Sequence, residues 1–496
     1  MRPFFTFIIK ERANRNYLWI ALAGTAVLWV VFKLCYPFPD FFSDSYSYIF
    51  AAAANLDVSI WPIGYSKFLY AFHLVSHSDL ALVTVQYLLV QLASTYLFFS
   101  IVYLFQPSKM VVRVLFIFLL FDPLTLYICN YVNSDGLFAA LSIFWFSELL
   151  WIICRPRWYQ IVSQGVLLFL AFTVRNNAYY YPVLAVLAFL LSRQSVYRKL
   201  AGIALGLVLL GVFVVRTREA AYRITGTRQF SLFTGWQLAN NALYMYDRID
   251  VDSTQLPTAR SKLLDREVRA FFAHVPEGAY HDILYGNPGN FFLQYPMSPL
   301  KVYLLRHYHF GPGAGAVIAW GKASADFEPF GRYLIASHPW SFVRYFVLPN
   351  TRNYIVPPLE KLEKYNLGQD SIGGMAVEWF DLPTPRVRVV SKDMQSSFLF
   401  LLPWLFGVAN LAFIGFGLYY GVKRGKIKGN RDLDRVLILA GVFWAGNLGF
   451  GLFATILVLR YEFFPLIVLV AFCLLLYDII DQHLTYENKV AAKTLQ

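Results

Sequence analysis

The sequence predicts a mainly α, polytopic transmembrane helix bundle of about ten spans, with juxtamembrane helices and a large extracytoplasmic domain before the last three spans. Three observations predict it. Apolar residues make up 58% of the 496-residue chain and charged residues only 15%, a balance that would leave a water-soluble protein with too much apolar surface. The apolar residues fall in runs near the ~20 residues needed to cross a bilayer. Lys and Arg concentrate in short loops on one side of those runs, which is how orientation in a membrane is encoded. The net charge of +13 arises largely there and forms no basic stripe, so nucleic acid is excluded as a partner. The lipid bilayer is the implied environment.

Taken in order, residues 1–16 form a basic arm that stays cytoplasmic, followed by a first span over about 17–36. Pro37 and Pro39 end that span. The first outer loop, 37–79, holds two short amphipathic stretches, 45–55 and 65–75, suited to lie in the interface. A second span over about 80–105 returns to Lys109 and Arg113, and a third covers about 111–128. The turn 130–135 leads into a fourth span that ends at Arg155-Pro156-Arg157. A hairpin turning at 174–177 supplies spans five and six and returns to Arg193, Arg198 and Lys199. Span seven covers about 200–215.

From 216 to about 395 the chain turns polar, with charges of both signs, and at roughly 180 residues it is long enough for a core of its own. Gly-Asn-Pro-Gly at 286–289 and the glycines at 311–315 mark turns, the latter suited to a lid. Residues 332–346 read as an amphipathic helix broken by Pro349. The region is expected to pack down as a roof over the first loop. Three more spans, about 397–420, 436–457 and 463–480, precede a cytoplasmic tail. The domains are thus 1–215, 216–395 and 396–496. The polar region has no cysteine and no Asn-x-Ser/Thr site, which leans towards a bacterial inner membrane, with both termini cytoplasmic and the polar region facing the periplasm.

The candidate chemistry lies in ionisable residues at or inside the bilayer, where they are costly and functional by default. Asp44, just beyond the first span, is either the N-cap of the helix that follows or a general base. Asp122 precedes Pro123 in span three and either bonds to freed backbone there or takes part in a site. Asp135 follows Asn133-Ser134 and either caps span four or serves the site. Glu148, deeper in span four, is expected to pair with Arg155 or Arg157. Arg175 and Arg460 each stand at an outward helix end, as snorkelling cations or as phosphate-binding groups. His307 and His309 share one side if that stretch is a strand, but no third metal ligand is evident, and the glycines at 311–315 are not followed by the Gly-Lys-Ser/Thr of a P-loop.

Several of these short segments, in this chain order, resemble the integral-membrane GT-C glycosyltransferases, the superfamily of protein O-mannosyltransferases and the aminoarabinose transferase. Phe42-Ser43-Asp44-Ser45-Tyr46-Ser47-Tyr48 is similar to the family's first-loop Asp segment, and Trp61-Pro62-Ile63-Gly64-Tyr65 to its Pro-x-Gly-Tyr element. Asp122-Pro123 through Tyr131 to Asp135 resembles its fourth-span start, Thr173-Val174-Arg175-Asn176 its Arg turn, and Arg460-Tyr461 with Pro465 the start of its last span. The first-loop Asp lacks the acidic neighbour of the mannosyltransferases, which leaves the acceptor class open.

The resemblance implies a polyprenyl-phosphate-linked sugar donor, a glycolipid, glycan or protein acceptor, and inverting transfer with Asp44 as base. Arg175 or Arg460 would hold the leaving phosphate. Asp135 is then a second catalytic residue that orients the acceptor or binds a divalent metal. Tyr65, Asp122 and Tyr461 join the two arginines as substrate-binding residues. No cofactor motif is evident. A lipid-linked glycan transporter and a polysaccharide polymerase or ligase are the competing readings. The first would place its charges mid-bilayer, the second in the large outer region.

Overall fold

The computed structural model of the chain describes residues 3–275, 289–309, 311, 313–427, 430–454 and 456–494. Eight helices among them are long and apolar enough to cross a membrane: Arg12–Cys35, Asp79–Phe105, Lys109–Cys129, Ser134–Cys154, Val196–Thr225, Met394–Lys423, Arg431–Phe453 and Phe463–Val490. The shortest has 21 residues, which at 1.5 Å per residue covers about 30 Å. The chain is an integral membrane protein. The expected fifth and sixth spans form shorter apolar helices, Gln160–Val174 and Asn176–Leu191, so the ten expected spans become eight long helices and one short pair. Within the bundle Ser134–Cys154 is central, with 78% of its apolar window buried, and Arg12–Cys35 is peripheral at 17%. The apolar side chains that Arg12–Cys35 leaves exposed, Trp19, Val27, Val30 and Leu34 among them, are those a bilayer would cover.

Several elements depart from the sequence reading, each for a local reason. The helix expected to end near 215 runs to Thr225, because nothing interrupts it before Gly226, whose positive φ of 75° supplies a left-handed C-cap. The Lys109–Phe121 helix stops at Asp122 and restarts as Pro123–Cys129, with an Asp122 carboxylate oxygen accepting the Leu124 N–H at 3.0 Å. Pro123 has no N–H to continue the first helix, and Asp122 caps the second. Glu148 accepts from the Tyr96 and Ser163 hydroxyls, both at 2.9 Å, and not from Arg155 or Arg157, which lie more than a turn further along the chain. His307 ends the Pro299–His307 helix, so the strand that would pair it with His309 is absent.

The helix expected over 332–346 in fact spans Ala314–Ser337 and stops at His338, which Pro339 forces out of the helical region. The next helical stretch then runs through Pro349, preceded by a single π turn over Val343–Val347 that relaxes the bonding pattern Pro349 would break. The turn expected at 286–289 lies, apart from Gly289, outside the described residues, as does Pro312 of the 311–315 stretch.

The region 216–395, expected from the sequence on the outer side and called the outer region below, divides into two parts. Its first part has its own core, built on Trp236, Leu264, Phe292, Tyr303, Phe327 and Phe346. Gly331 lets the Ala314–Ser337 helix meet Thr234–Leu243 backbone to backbone, since a Cβ there would lie 2.5 Å from the Leu238 carbonyl carbon. The second part is different: Tyr354, Leu362, Tyr365, Ile372 and Phe380 belong to the core of the membrane bundle. The boundary expected at 395 therefore falls some forty residues too late for packing, although the chain re-enters the apolar helix only at Met394.

That second part clamps the first loop. The Asn366 N–H donates to the Asp40 carboxylate at 3.0 Å, Gly373 N–H to the Tyr46 hydroxyl at 2.9 Å, and Tyr365 bonds the Phe38 carbonyl. Asp40 is buried, and burial pushes its carboxyl well above the usual range. It is a structural residue: its backbone pairs with Asn130 and Val132 on the loop between spans three and four. Asn241 in the first part donates to the Phe453 carbonyl at 2.8 Å. The outer region thus packs down onto one end of the bundle. At the other end the basic loops meet, with Arg193 on Asp432 at 2.6 Å. Reporter fusions after Gly226 and Gly425 are expected in opposite compartments, and finding both in one compartment would overturn this arrangement.

Candidate functional site

The first loop delivers Asp44. Phe42 is extended, and the Ser43–Ala53 helix starts behind it with Ser45 accepting the Phe42 N–H at 3.2 Å. Ser45 therefore caps this end, and the Asp44 side chain caps nothing. Asp44 stands in the first turn, where a negative charge suits the helix dipole. Its carboxylate faces Lys361 Nζ at 3.3 Å and Arg460 Nη1 at 3.6 Å. Lys361 comes from the outer region. Burial, and then the nearby Arg460, lower its pKa, while Asp44 and Glu360 oppose that shift.

Arg175 and Arg460 arrive from two helix ends. The Gln160–Val174 helix terminates because Arg175 is extended, which turns its side chain towards the start of the Ser134–Cys154 helix. There it pairs with Asp135 and donates to the Ser134 hydroxyl at 3.3 Å. Arg460 lies on a short 3-10 turn, Leu459–Tyr461, before the last long helix. It reaches Asp135 at 3.4 Å, Asp44 at 3.6 Å and Glu360 at 3.8 Å. The Tyr461 ring lies against both guanidinium groups, 4.3 Å from Arg175 and 4.4 Å from Arg460.

Three cations, Arg175, Arg460 and Lys361, interlock in this way with three carboxylates, Asp44, Asp135 and Glu360. The Arg460 side chain is only 3% exposed and Asp135 also 3%. Charges so buried persist only when compensated. Burial disfavours the Arg460 charge, but Tyr461, Asp135, Glu360 and Asp44 outweigh it and raise its pKa above the usual range.

The network opens on a cavity of about 720 Å³ bordered by Asp44, Lys361, Glu360, Arg460 and Tyr461, within the size range of ligand sites. A narrower arm of about 80 Å³ leads from Asp44 to Arg175 and Asn133. Asn133 caps the Ser134–Cys154 helix by accepting the Ser134 N–H, which fixes its oxygen. Its buried amide nitrogen has no acceptor among the described residues. The narrow arm therefore presents Asn133 Nδ2 and two guanidinium groups, a donor set suited to oxyanions.

Of the residues singled out in the sequence, Asp44, Asp135, Arg175, Arg460 and Tyr461 come together. Asp135 lies behind the arginines and not on the cavity wall, and its geometry is that of a positioning residue. Tyr65 is wholly buried one layer out, its ring edge-on to Tyr48 and its hydroxyl on Gln86 at 2.8 Å. Its neighbour Gly64 has a clear role: a Cβ there would lie 2.7 Å from the Thr173 carbonyl, so glycine lets this helix seat against the Arg175 turn. Asp122 is the helix cap described above and borders neither cavity.

Lys361 and Glu360 are not signalled in the sequence, because they sit in a run of mixed charges, 360–364, indistinguishable from a solvated surface. Among the described residues no three His, Cys, Asp or Glu side chains are grouped to hold a metal. Comparison of the chain with protein-family models, curated proteins and solved structures finds no match.

Proposed function

We propose that the protein is a membrane glycosyltransferase of the GT-C type, acting at the periplasmic face of a bacterial inner membrane. It would transfer a sugar from a polyprenyl-phosphate donor to an acceptor hydroxyl with inversion. The observation that carries this reading is the convergence of Asp44, Arg175 and Arg460, from the first loop and two distant helix ends, on one cavity beside the bilayer. The apolar helix surfaces below suit a polyprenyl tail. Arg175, Arg460 and the unpartnered Asn133 amide suit the phosphate.

In the reaction, the acceptor oxygen attacks the anomeric carbon from the face opposite the phosphate. The bond from that carbon to the phosphate oxygen breaks and its electron pair leaves with the polyprenyl phosphate. The hydroxyl proton passes to the Asp44 carboxylate. Charge growing on the departing oxygen is met by fixed donors that need no reorganisation, each worth on the order of 3 kcal/mol in a site shielded from water. Asp135 acts by holding the two arginines at one spacing.

The test is turnover by the purified full-length protein in lipid nanodiscs with a panel of polyprenyl-phosphate sugars. Release of polyprenyl phosphate, matched one for one by a product of inverted anomeric configuration, is expected for at least one donor. Retention of configuration, or a panel untouched in the presence of varied glycan, glycolipid and peptide acceptors, would sink the reading.

A further inference from the structure

The wide end of the large cavity differs in character from the ionic network. Its wall is a ladder of aromatic rings drawn from three separate elements. Trp61 of the first loop lies 5.0 Å from Phe233, Phe233 lies parallel to Trp320 at 6.4 Å, and Trp320 stacks on Trp236 at 3.9 Å. Trp236 is wholly buried and donates its indole N–H to the Trp320 carbonyl at 3.0 Å, so the ladder is anchored from behind. Trp61, Phe233 and Trp320 are half-buried and border the cavity. Rings fixed in this way offer apolar contact at little entropic cost.

Lys301 stands at the end of the ladder. Its ammonium lies 4.4 Å from the Trp320 ring and 5.2 Å from Trp236, and it borders the same cavity. Its helix is fixed by Ser298, which caps Lys301 N–H and bonds the Phe292 carbonyl at 2.7 Å. The other two cations on this cavity, Lys361 and Arg460, are matched to carboxylates. Lys301 has no carboxylate partner among the described residues and lies against the faces of Trp320 and Trp236. Burial lowers its pKa to about 8. An anion beside it would favour the charged form.

We infer that this end of the cavity is an acceptor subsite for a carbohydrate bearing a phosphate or carboxylate substituent, with a sugar ring stacked on Trp61, Phe233 and Trp320 and the anion paired with Lys301. A pyranose offers an apolar C–H face and a hydroxylated rim, which matches rings flanked by the Asn290 and Gln294 side chains. The donor phosphate has its own donors in the narrow arm, and the two arms meet at Asp44. This assignment rests on the glycosyltransferase reading for its role, but its binding chemistry can be measured without turnover.

Equilibrium dialysis of the purified full-length protein, with no donor present, would use radiolabelled glucose 6-phosphate, glucuronate, glucose and inorganic phosphate. Both sugar acids are expected to bind at least about tenfold more tightly than glucose, as a charge-assisted contact implies. They are also expected to exceed inorganic phosphate. Lys301→Gln should reduce them to the level of glucose. Phe233→Leu, at a less anchored ring than Trp320, should weaken all three sugars and leave inorganic phosphate unchanged. Equal binding of glucose and its 6-phosphate, phosphate binding as tightly as the sugar acids, or unchanged preference in a folded Lys301→Gln variant would each overturn the inference. Transfer found only to neutral acceptors would also overturn it while leaving the transferase reading intact. Selective binding without turnover would overturn the transferase reading and with it the acceptor role, leaving only a site for sugars that carry an anionic group.

Discussion

Asp44→Asn is expected to slow sugar transfer by at least ~100-fold, the usual loss when a general base is removed, in a protein that folds and is stable. The structure separates the two roles that the sequence left open. Ser45, and not Asp44, caps the Ser43–Ala53 helix. Asn keeps the size of Asp44 and is itself a good residue at a helix start. Lys361 loses the carboxylate it pairs with but keeps an acceptor oxygen on the asparagine, and Arg460 keeps Asp135 and Glu360. Stability should therefore change little while proton removal is lost. The control is Ser45→Ala, which should cost about 1 kcal/mol of stability with little effect on the rate of the folded fraction. The assay is transfer from purified polyprenyl-phosphate sugar, with thermal unfolding followed in parallel. Full activity in well-folded Asp44→Asn would remove Asp44 from the mechanism. The next carboxylate to test would then be Glu360, since Asp122 is remote from the cavity and Asp135 is locked behind two arginines.

What could be read from the sequence follows from the range of the forces involved. A bilayer imposes a local rule, a run of apolar residues of fixed length, so the long helices are visible without knowledge of their neighbours. The two juxtamembrane helices of the first loop are visible by another local rule, as stretches too short to span but amphipathic enough to lie in the interface. The 160–191 hairpin was legible as a pair but not as short, because its lengths depend on where the Arg175 turn must sit to meet Asp135. Asp44, Asp135, Arg175 and Arg460 announced themselves as charges at apolar boundaries. Lys361 could not, because it meets Asp44 across 317 residues of sequence and carries no local oddity. The same holds for the aromatic ladder, whose rings lie on three elements that only the packed outer region brings together. Glu148 shows the opposite error. A nearby Arg in sequence suggested an ion pair, whereas the packed bundle supplied two hydroxyls instead.

Asp135→Ala is expected to be the most destabilising single change in the site, by about 3–5 kcal/mol, the range for removing one member of a buried ion pair. Asp135 holds Arg175 and Arg460 together, and its side chain is 3% exposed against 11% for Arg175. Without it Arg460 retains Asp44 and Glu360, but Arg175 is left with the Ser134 hydroxyl and the faces of Phe138 and Tyr461. Two guanidinium groups sharing one ring would then repel each other across a poorly hydrated space. Asp135→Asn should lie between the wild type and the alanine variant, since it keeps an acceptor oxygen but loses the charge. The double variant Asp135→Leu with Arg175→Met should recover much of the stability, because it removes both charges and leaves apolar groups of similar size. It should not recover transfer, because one of the two cations proposed to bind the donor phosphate is gone and the spacing of the other is no longer set. Thermal unfolding in a single detergent measures the first effect and donor turnover the second. An Asp135→Ala protein that unfolds at the wild-type temperature would show that Asp135 does not hold the arginines together, and the charge network would need another keystone.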